Sequence, residues 1–578
     1  MTPFENTLYV AMVAPVLALV VSAFLKPAMS FRWNSLLIAL SGIGGVIAGA
    51  YGAVAEAPFT MAVPMFYGMT IALDRFSAIF FLAISIVIAA AGLYALVYGV
   101  RHQGSPTHLR LVGILTALIV IGTQWVLISG NSIGFIAAWA VMTLSVFFLT
   151  LLPMSEQHKS VAIRFLTVSQ LGVASITAGL FILSSGALFS DFGTLAYLAG
   201  QIEPTQLIVG YGLLLFGFAT TIGLFPMHRW FRNVLTIVPA HNAVLLRGTL
   251  SGVAFYGFIR CILFILPPLS IWFALPVALL GVLTIICGAV CALNEKNIQR
   301  IFSNITLQGL GVAATMVAGA MAFQAVAIYD AMNVMLFAAF VQIVVSAIAG
   351  SGLFLVGDVV GSNIDRSGGL ATKMPKLTLA AFILMFCAIG FPPFATFTSA
   401  WMFATTLGTT FRAVELPLAI VCIAILVIFI LCLLVSIVSI GRVIIGVFLG
   451  TSRSESDAVV TEATDSQLTP IVLLAFLALV SGFALPQLFV AIGADPLTDA
   501  AGTFNGGIVT AAGTLRMGII GIVVGAIALM KWYFRASWID RIPTFTGIET
   551  CRTNIMNRFT IGNRLRKVWN GALEKLRR

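Results

Sequence analysis

The feature that most constrains this chain is a succession of apolar runs, each long enough to cross a bilayer. They fall at approximately 7–25, 34–54, 76–100, 110–128, 132–153, 161–186, 205–226, 244–266, 271–293, 301–320, 324–357, 377–408, 415–449, 468–490 and 515–534. A helix needs about 20 apolar residues to cross the hydrocarbon. The pattern therefore predicts an all-α integral membrane protein of about fifteen transmembrane helices. Composition closes the alternative of a large soluble protein. Only 9% of the 578 residues are charged, against roughly 25% in soluble domains.

The loop charges give an independent reading of the topology. With the N-terminus outside, the inner loops hold Lys26/Arg32, Arg101/Arg110, Lys159/Arg164, Arg229/Arg232, Lys296/Arg300, Arg366/Lys373/Lys376 and Arg442/Arg453. The outer loops hold mainly acids: Glu56, Asp191, Glu203, Asp495 and Asp499; Arg412 and Arg516 depart from the pattern. By the positive-inside rule this predicts N-out and C-in in a cell (inner) membrane. The opening residues, Met1-Thr2-Pro3-Phe4-Glu5-Asn6, lack the basic start of a secretory signal and read as the approach to a first span.

The net charge of +11 is concentrated at the end, where residues 531–578 carry eleven Lys/Arg against three acids. A basic segment beside a membrane helix points to anionic lipid or an acidic partner. Aromatic-interleaved nucleic-acid motifs are absent, so no nucleic acid is expected. Six of the seven cysteines lie in apolar runs and none forms a CxxC pair. Cys287 and Cys291 stand one helical turn apart, which brings two thiols together, although buried cysteines are usually small apolar side chains. With no cysteine cluster, P-loop or GxGxxG after a strand, the sequence predicts no cofactor, no metal and no catalytic residue.

Two segments interrupt the helical pattern alike. Gly223-Leu224-Phe225-Pro226-Met227-His228-Arg229-Trp230 closes the seventh run, and Gly390-Phe391-Pro392-Pro393-Phe394-Ala395-Thr396-Phe397 lies inside the twelfth. Proline removes a backbone donor and clashes with the preceding turn, so Pro226, Pro392 and Pro393 predict broken helices 7 and 12 at membrane depth. Paired broken helices point to repeated halves with an ion or substrate path between them.

In order and spacing, these segments resemble the antiporter-like subunit family of respiratory complex I, Mrp sodium/proton antiporters and membrane-bound group 4 hydrogenases, with a look nearest the hydrogenase-4 branch. The shared stretches are Leu73-Asp74-Arg75-Phe76-Ser77, Phe225-Pro226-Met227-His228-Arg229-Trp230, Tyr256-Gly257-Phe258-Ile259-Arg260, Asn297-Ile298-Gln299-Arg300-Ile301, Ile364-Asp365-Arg366-Ser367-Gly368-Gly369-Leu370-Ala371 and the Pro392-Pro393 break. The resemblance implies two inverted five-helix repeats. It divides the chain into N-terminal helices 1–3 (1–109), a first repeat (110–266), a second repeat (267–450), two further helices (451–534) and a basic cytoplasmic tail (535–578). It also implies a midplane chain of Lys, Glu and His that hands protons along by mutual shifts of pKa.

This sequence departs from that mechanism. Ala140 stands where the family places a buried glutamate, Thr221 for the paired lysine and Gly252 for the central lysine. Val334 and Ala338 replace a histidine and a lysine, and Ala400 the terminal lysine or glutamate. The remaining ion-path candidates are Asp330, His228, His241, Arg247, Thr221 and Gln308, with Asp330 the leading one. Intramembrane charges are functional by default, while Arg247 and Arg260 are also long enough to snorkel to an interface.

The chain is thus expected to be a membrane subunit of a complex I-like or hydrogenase-4-like respiratory assembly. It would have a degenerate proton path and a scaffold or altered ion role beside other membrane subunits. Redox chemistry, as in an NADH:quinone oxidoreductase or hydrogenase, would belong to those partners. The alternative is an ion-coupled transporter subunit, of the Mrp sodium/proton type or the membrane half of an inorganic-carbon uptake complex.

Overall fold

In the computed structural model the helices begin and end where local chemistry dictates. The described residues are 3–492, apart from 56–57, 63–68, 102–105, 188, 362–363, 365–367, 411–415 and 450–462. The expected fifteenth span and the basic tail lie outside them. Helix α1 (Pro3–Phe24) leads to α2 (Pro27–Val54), which has proline in its first turn, where no amide partner is needed. A short antiparallel hairpin, β1 (Phe59–Ala62) and β2 (Thr70–Leu73), precedes α3 (Arg75–Arg101) and departs from the all-helical expectation. Then come α4 (Pro106–Ile128), α5 (Ser132–Leu151) and α6 (Glu156–Leu183). Asn131 and Ser155 cap α5 and α6 by accepting from the amides of Gly134 and His158.

A one-sided short helix, α7 (Phe192–Ala199), leads into α8 (Pro204–Ile222), the first of the broken spans. The chain resumes as α9 (Arg229–Leu235) and α10 (Ala240–Ile259), the latter extended by a π-turn over Arg260–Ile265. Next are α11 (Ala274–Asn294), α12 (Ile298–Ala325) and α13 (Tyr329–Val360). The α12–α13 boundary falls at 326–328, a few residues later than hydropathy suggests, because Ala327 adopts a left-handed φ of 56°. The one-turn α14 (Leu370–Lys373) precedes the second broken span, α15 (Pro375–Ala388) and α16 (Ala395–Thr410). Helices α17 (Leu416–Val443) and α18 (Asp465–Ile492) follow. Thirteen helices among the described residues are long and apolar enough to span a membrane.

Without a hydrophobic drive between helices in lipid, close approach of backbones supplies the packing. Glycines sit reciprocally at two close helix pairs. A Cβ on Gly281 of α11 would fall 2.9 Å from the Gly311 carbonyl of α12, and one on Gly311 would fall 2.8 Å from that of Gly281. Gly172 of α6 and Gly217 of α8 meet in the same way, at 3.2 and 2.8 Å.

These contacts place α10, α12 and α13 at the centre. Every residue of α10 from Ala240 to Ile259 is buried. Helix α17 is the opposite, with only 17% of its most apolar window covered, and shows Ile420, Val427, Leu431, Leu434 and Val438 to its surroundings.

Candidate functional site

Both broken spans use one backbone device. Gly223 ends α8 at φ 85°, and Gly390 follows α15 at φ 70°, a left-handed conformation that residues with a Cβ avoid. Three residues after each glycine comes a cis-proline, Pro226 and Pro393 respectively. The amides of Gly223 and Leu224 both bond back to the Ala219 carbonyl, and the Phe391 amide to that of Phe386. Each α-helix is thereby closed before the proline, so no interior amide is orphaned.

Between the breaks runs a line of buried polar groups. Phe231 of α9 packs under Gly223, and the Arg247 guanidinium of α10 lies 5.8 Å above the Phe231 ring. Arg247 is 1% exposed, so it does not snorkel to an interface. Its Nη2 donates to the Ser346 carbonyl of α13 at 3.4 Å, and its Nε has no hydrogen-bond partner among the described residues. One turn back on α13 is Gln342. It shares a face with Ser346 because both stand over Gly309 of α12, whose missing side chain leaves the room.

The Ser399 hydroxyl of α16 reaches the Gln342 Oε1 at 3.2 Å and the Ala338 carbonyl at 2.9 Å. Gln308 of α12 accepts a short hydrogen bond from Ser436 of α17. Gln308, Gln342, Thr396, Ala400 and Ser436 line a cavity of about 30 Å³ at the second break, room for one or two waters. Arg247 is the only permanently charged member of this line.

A second polar network lies on the other side of α10. His241 Nε2 is 3.0 Å from the Asn242 amide, and the Thr116 hydroxyl donates to Asn242 Oδ1 at 2.9 Å. A cavity of about 10 Å³ separates these groups from Asn34, which donates to Ser22 Oγ at 2.7 Å and to the Gly113 carbonyl at 3.0 Å.

Two of the sequence motifs, far apart in the chain, prove to be one structural unit. The Arg260 guanidinium bonds both oxygens of Asp74, Nη2 to Oδ2 at 2.8 Å and Nη1 to Oδ1 at 3.2 Å. Asp74 also accepts from the Ser77 amide at 2.8 Å and so caps α3. Burial works against ionisation of Asp74, but Arg260 and the two Ser77 bonds outweigh it and hold the carboxyl below the usual aspartate range. Phe76 stacks on Tyr256 at 5.6 Å. The pair ties the start of α3 to the end of α10.

Comparison with known proteins agrees with this architecture. Residues 129–429 match the family described as NADH:quinone oxidoreductase/Mrp antiporter, TM. The chain belongs to this family. Among its relatives, hydrogenase-4 component B of Escherichia coli (strain K12) is 25% identical over 410 residues, 67% of this chain and 60% of that protein. NADH-quinone oxidoreductase subunit N of Desulfovibrio desulfuricans is 26% identical over 351 residues, 58% of this chain and 69% of the relative.

In fold, the antiporter-family chain is similar to a chain of respiratory complex I from Thermus thermophilus, at a TM-score of 0.69 and 19% identity. That match covers 86% of this chain and 98% of the other. A chain of the Mrp complex from Dietzia sp. DQ12-45-1b gives 0.69 at 17% identity, covering 87% and 98%.

The residues singled out from sequence fall in several separate places. Arg247, Gln308 and Ala400 belong to the line or its cavity, and Ala338 contributes its carbonyl. His241 belongs to the second network. Thr221 is buried in α8 with its hydroxyl turned back to the Gly217 carbonyl at 3.4 Å, and His228 is buried at the first break. Gly252 faces Ile84 of α3, where a Cβ would come within 3.2 Å, so α10 has no open space at that position. Ala140 and Val334 are half-buried on α5 and α13.

Asp330 is placed apart from all of these. It is exposed in the first turn of α13, where the helix dipole favours a carboxylate, and not at the buried depth expected of it. Gln342, Ser346, Ser399 and Ser436 escaped sequence reading. Their one visible signal was the i, i+4 spacing of Gln342 and Ser346 in an apolar run.

Proposed function

We propose that this chain is a membrane subunit of a multi-subunit, complex I-like or hydrogenase-4-like energy-converting assembly. In this reading its hydrophilic line is closed to cations and joins the two breaks mechanically. It sits in the cell (inner) membrane, N-terminus outside and C-terminus inside, beside other membrane subunits. The basic tail meets anionic lipid or an acidic partner. Residues 110–266 and 267–450 act as the two repeats, and electron transfer belongs to partner subunits.

One observation carries the reading. The buried line from Arg247 to Ser436 is built of amides and hydroxyls around one fixed guanidinium. Neutral amides and hydroxyls orient water but cannot store a proton at neutral pH. A cation about 6 Å from a guanidinium, at an effective dielectric of 20, meets roughly 2.8 kcal/mol of repulsion. That lowers its occupancy about a hundredfold. Arg247 therefore acts as a fixed barrier in a line that water can otherwise wet. Its contacts with Phe231 and Ser346 give the two breaks a common rigid element, and Asp330 remains at a mouth of α13, outside the barrier.

The test is passive proton permeability of vesicles holding the natively purified assembly. Arg247→Gln is expected to raise it, by up to about a hundredfold on the barrier above; unchanged permeability would sink the barrier role. Mass spectrometry of the same preparation identifies the flanking subunits. Recovery of the chain alone, with sodium- or bicarbonate-dependent flux, would instead support the transporter alternative.

A further inference from the structure

The first break carries chemistry that the line through Arg247 does not use. Cys287 and Cys291, one turn apart on α11, hold their sulfurs 3.9 Å from each other. Cys287 Sγ is also 3.2 Å from His228 Nε2, and His228 Nδ1 has no hydrogen-bond partner among the described residues. Arg232 of α9 lies close enough to both thiols, and Arg229 to Cys287, for their positive charges to act on them. Both cysteines are half-buried, unlike the buried Cys261 and Cys387.

We propose that Cys287 and Cys291 form a two-thiolate site for a soft monovalent metal ion of the Cu(I) type. Sulfur ligands select such ions over harder ones. Metal–sulfur bonds of about 2.3 Å put two sulfurs up to roughly 4.6 Å apart in a linear arrangement. Small side-chain rotations open the present separation to that value without moving the helix. Among the described residues, no group of three or more His, Cys, Asp or Glu side chains has the arrangement of a metal centre. That excludes the four-ligand geometry of structural zinc and leaves a two-coordinate soft ion.

The charge balance fits. Two thiols each release a proton as the ion binds, no electron moves, and the resulting bis-thiolate centre carries one negative charge. Arg232 and Arg229 lie near enough to offset it, and both protons pass to the buffer. Glu295, an acid that acts on Cys291, also pairs with Arg300, whose Nη1 lies 3.9 Å from its Oε1.

The test uses the full-length chain in detergent, Cu(I) supplied through a chromophoric chelator, and excess glutathione as a monothiol competitor. The wild type is expected to retain one equivalent, which Cys287→Ser and Cys291→Ser each abolish while Cys422→Ser and Cys432→Ser do not. Arg232→Gln should weaken binding about tenfold, as expected for a group just outside the ligands. A measurement on the unaltered chain guards against misfolded variants. Bound Cu(I) should protect both Cys287 and Cys291 from maleimide, as mapped by mass spectrometry. Protection of one alone or of neither, or retention of the ion by either single variant, overturns the site.

Discussion

The two breaks share a backbone and differ in chemistry. At each, a left-handed glycine closes the α-helix and a cis-proline follows at the same offset. Around the first stand His228, Cys287, Cys291 and Arg232, a reactive and basic set at the edge of the core. Around the second stand Gln308, Gln342, Thr396 and Ser436, all neutral, enclosing space for water. The conformation of a broken span is fixed by a few backbone-directing residues, while neighbouring helices choose its chemistry. The side chains around a break can therefore differ while the fold is kept.

Adding a charge should separate the two breaks most. Thr221→Lys buries an ammonium in a closely packed helix and should destabilise by about 3 kcal/mol, the insertion cost of a central lysine. Ala400→Lys reaches a cavity with two amides and two hydroxyls, so it should cost about 1 kcal/mol less. Thermal unfolding in one detergent measures both, and equal losses would remove the distinction drawn from the cavity.

The glycines sharpen the comparison next. Gly223→Ala meets the Phe231 Cβ at 3.3 Å, whereas Gly390→Ala has its nearest atom at 3.7 Å. Both pay the left-handed penalty of about 1–2 kcal/mol, and the first should exceed the second by about 1 kcal/mol because Phe231 is held by its neighbours. Chemical denaturation of the two variants gives the order.

A third measurement concerns the pair that braces α10 behind both breaks. Asp74→Asn should destabilise by about 1–2 kcal/mol, below the fully buried value because the carboxylate is 37% exposed. Since the folded-state pKa of Asp74 is lowered, its contribution is fully present above the unfolded value near 4. It is lost as pH falls further, through the folded value. Unfolding temperature followed from pH 7 downward should fall more steeply below about pH 4 in the wild type than in Asp74→Asn.

The smallest effect is expected at Asp330. Asp330→Asn removes an exposed charge at a helix start, worth about 0.3–1 kcal/mol, and should leave vesicle permeability unchanged. A large change in permeability would move the path towards the start of α13.

Particular residues show what was legible. Pro226 and Pro393 announced the breaks because proline acts on its own backbone, wherever the chain goes. The Asp74 and Arg260 motifs were visible as short strings, yet nothing local said that one string would grip the other. Arg247 could be read equally as an interfacial or an interior cation, because snorkelling depends on where its helix sits. Asp330 misled for the same reason: one turn at a helix end separates a buried carboxylate from an exposed one.

The sequence by itself determined that this is a membrane protein of many helices, and where two of them break. Those properties arise from transfer free energy and backbone sterics, which each segment carries within itself. Only the tertiary structure decided which polar groups meet: the line from Arg247 to Ser436, the Cys287–His228 contact and the exposure of Asp330. Such meetings depend on the rotation and depth of each helix against its neighbours. Those are set by close packing at glycines across many contacts, and no single stretch of sequence encodes them.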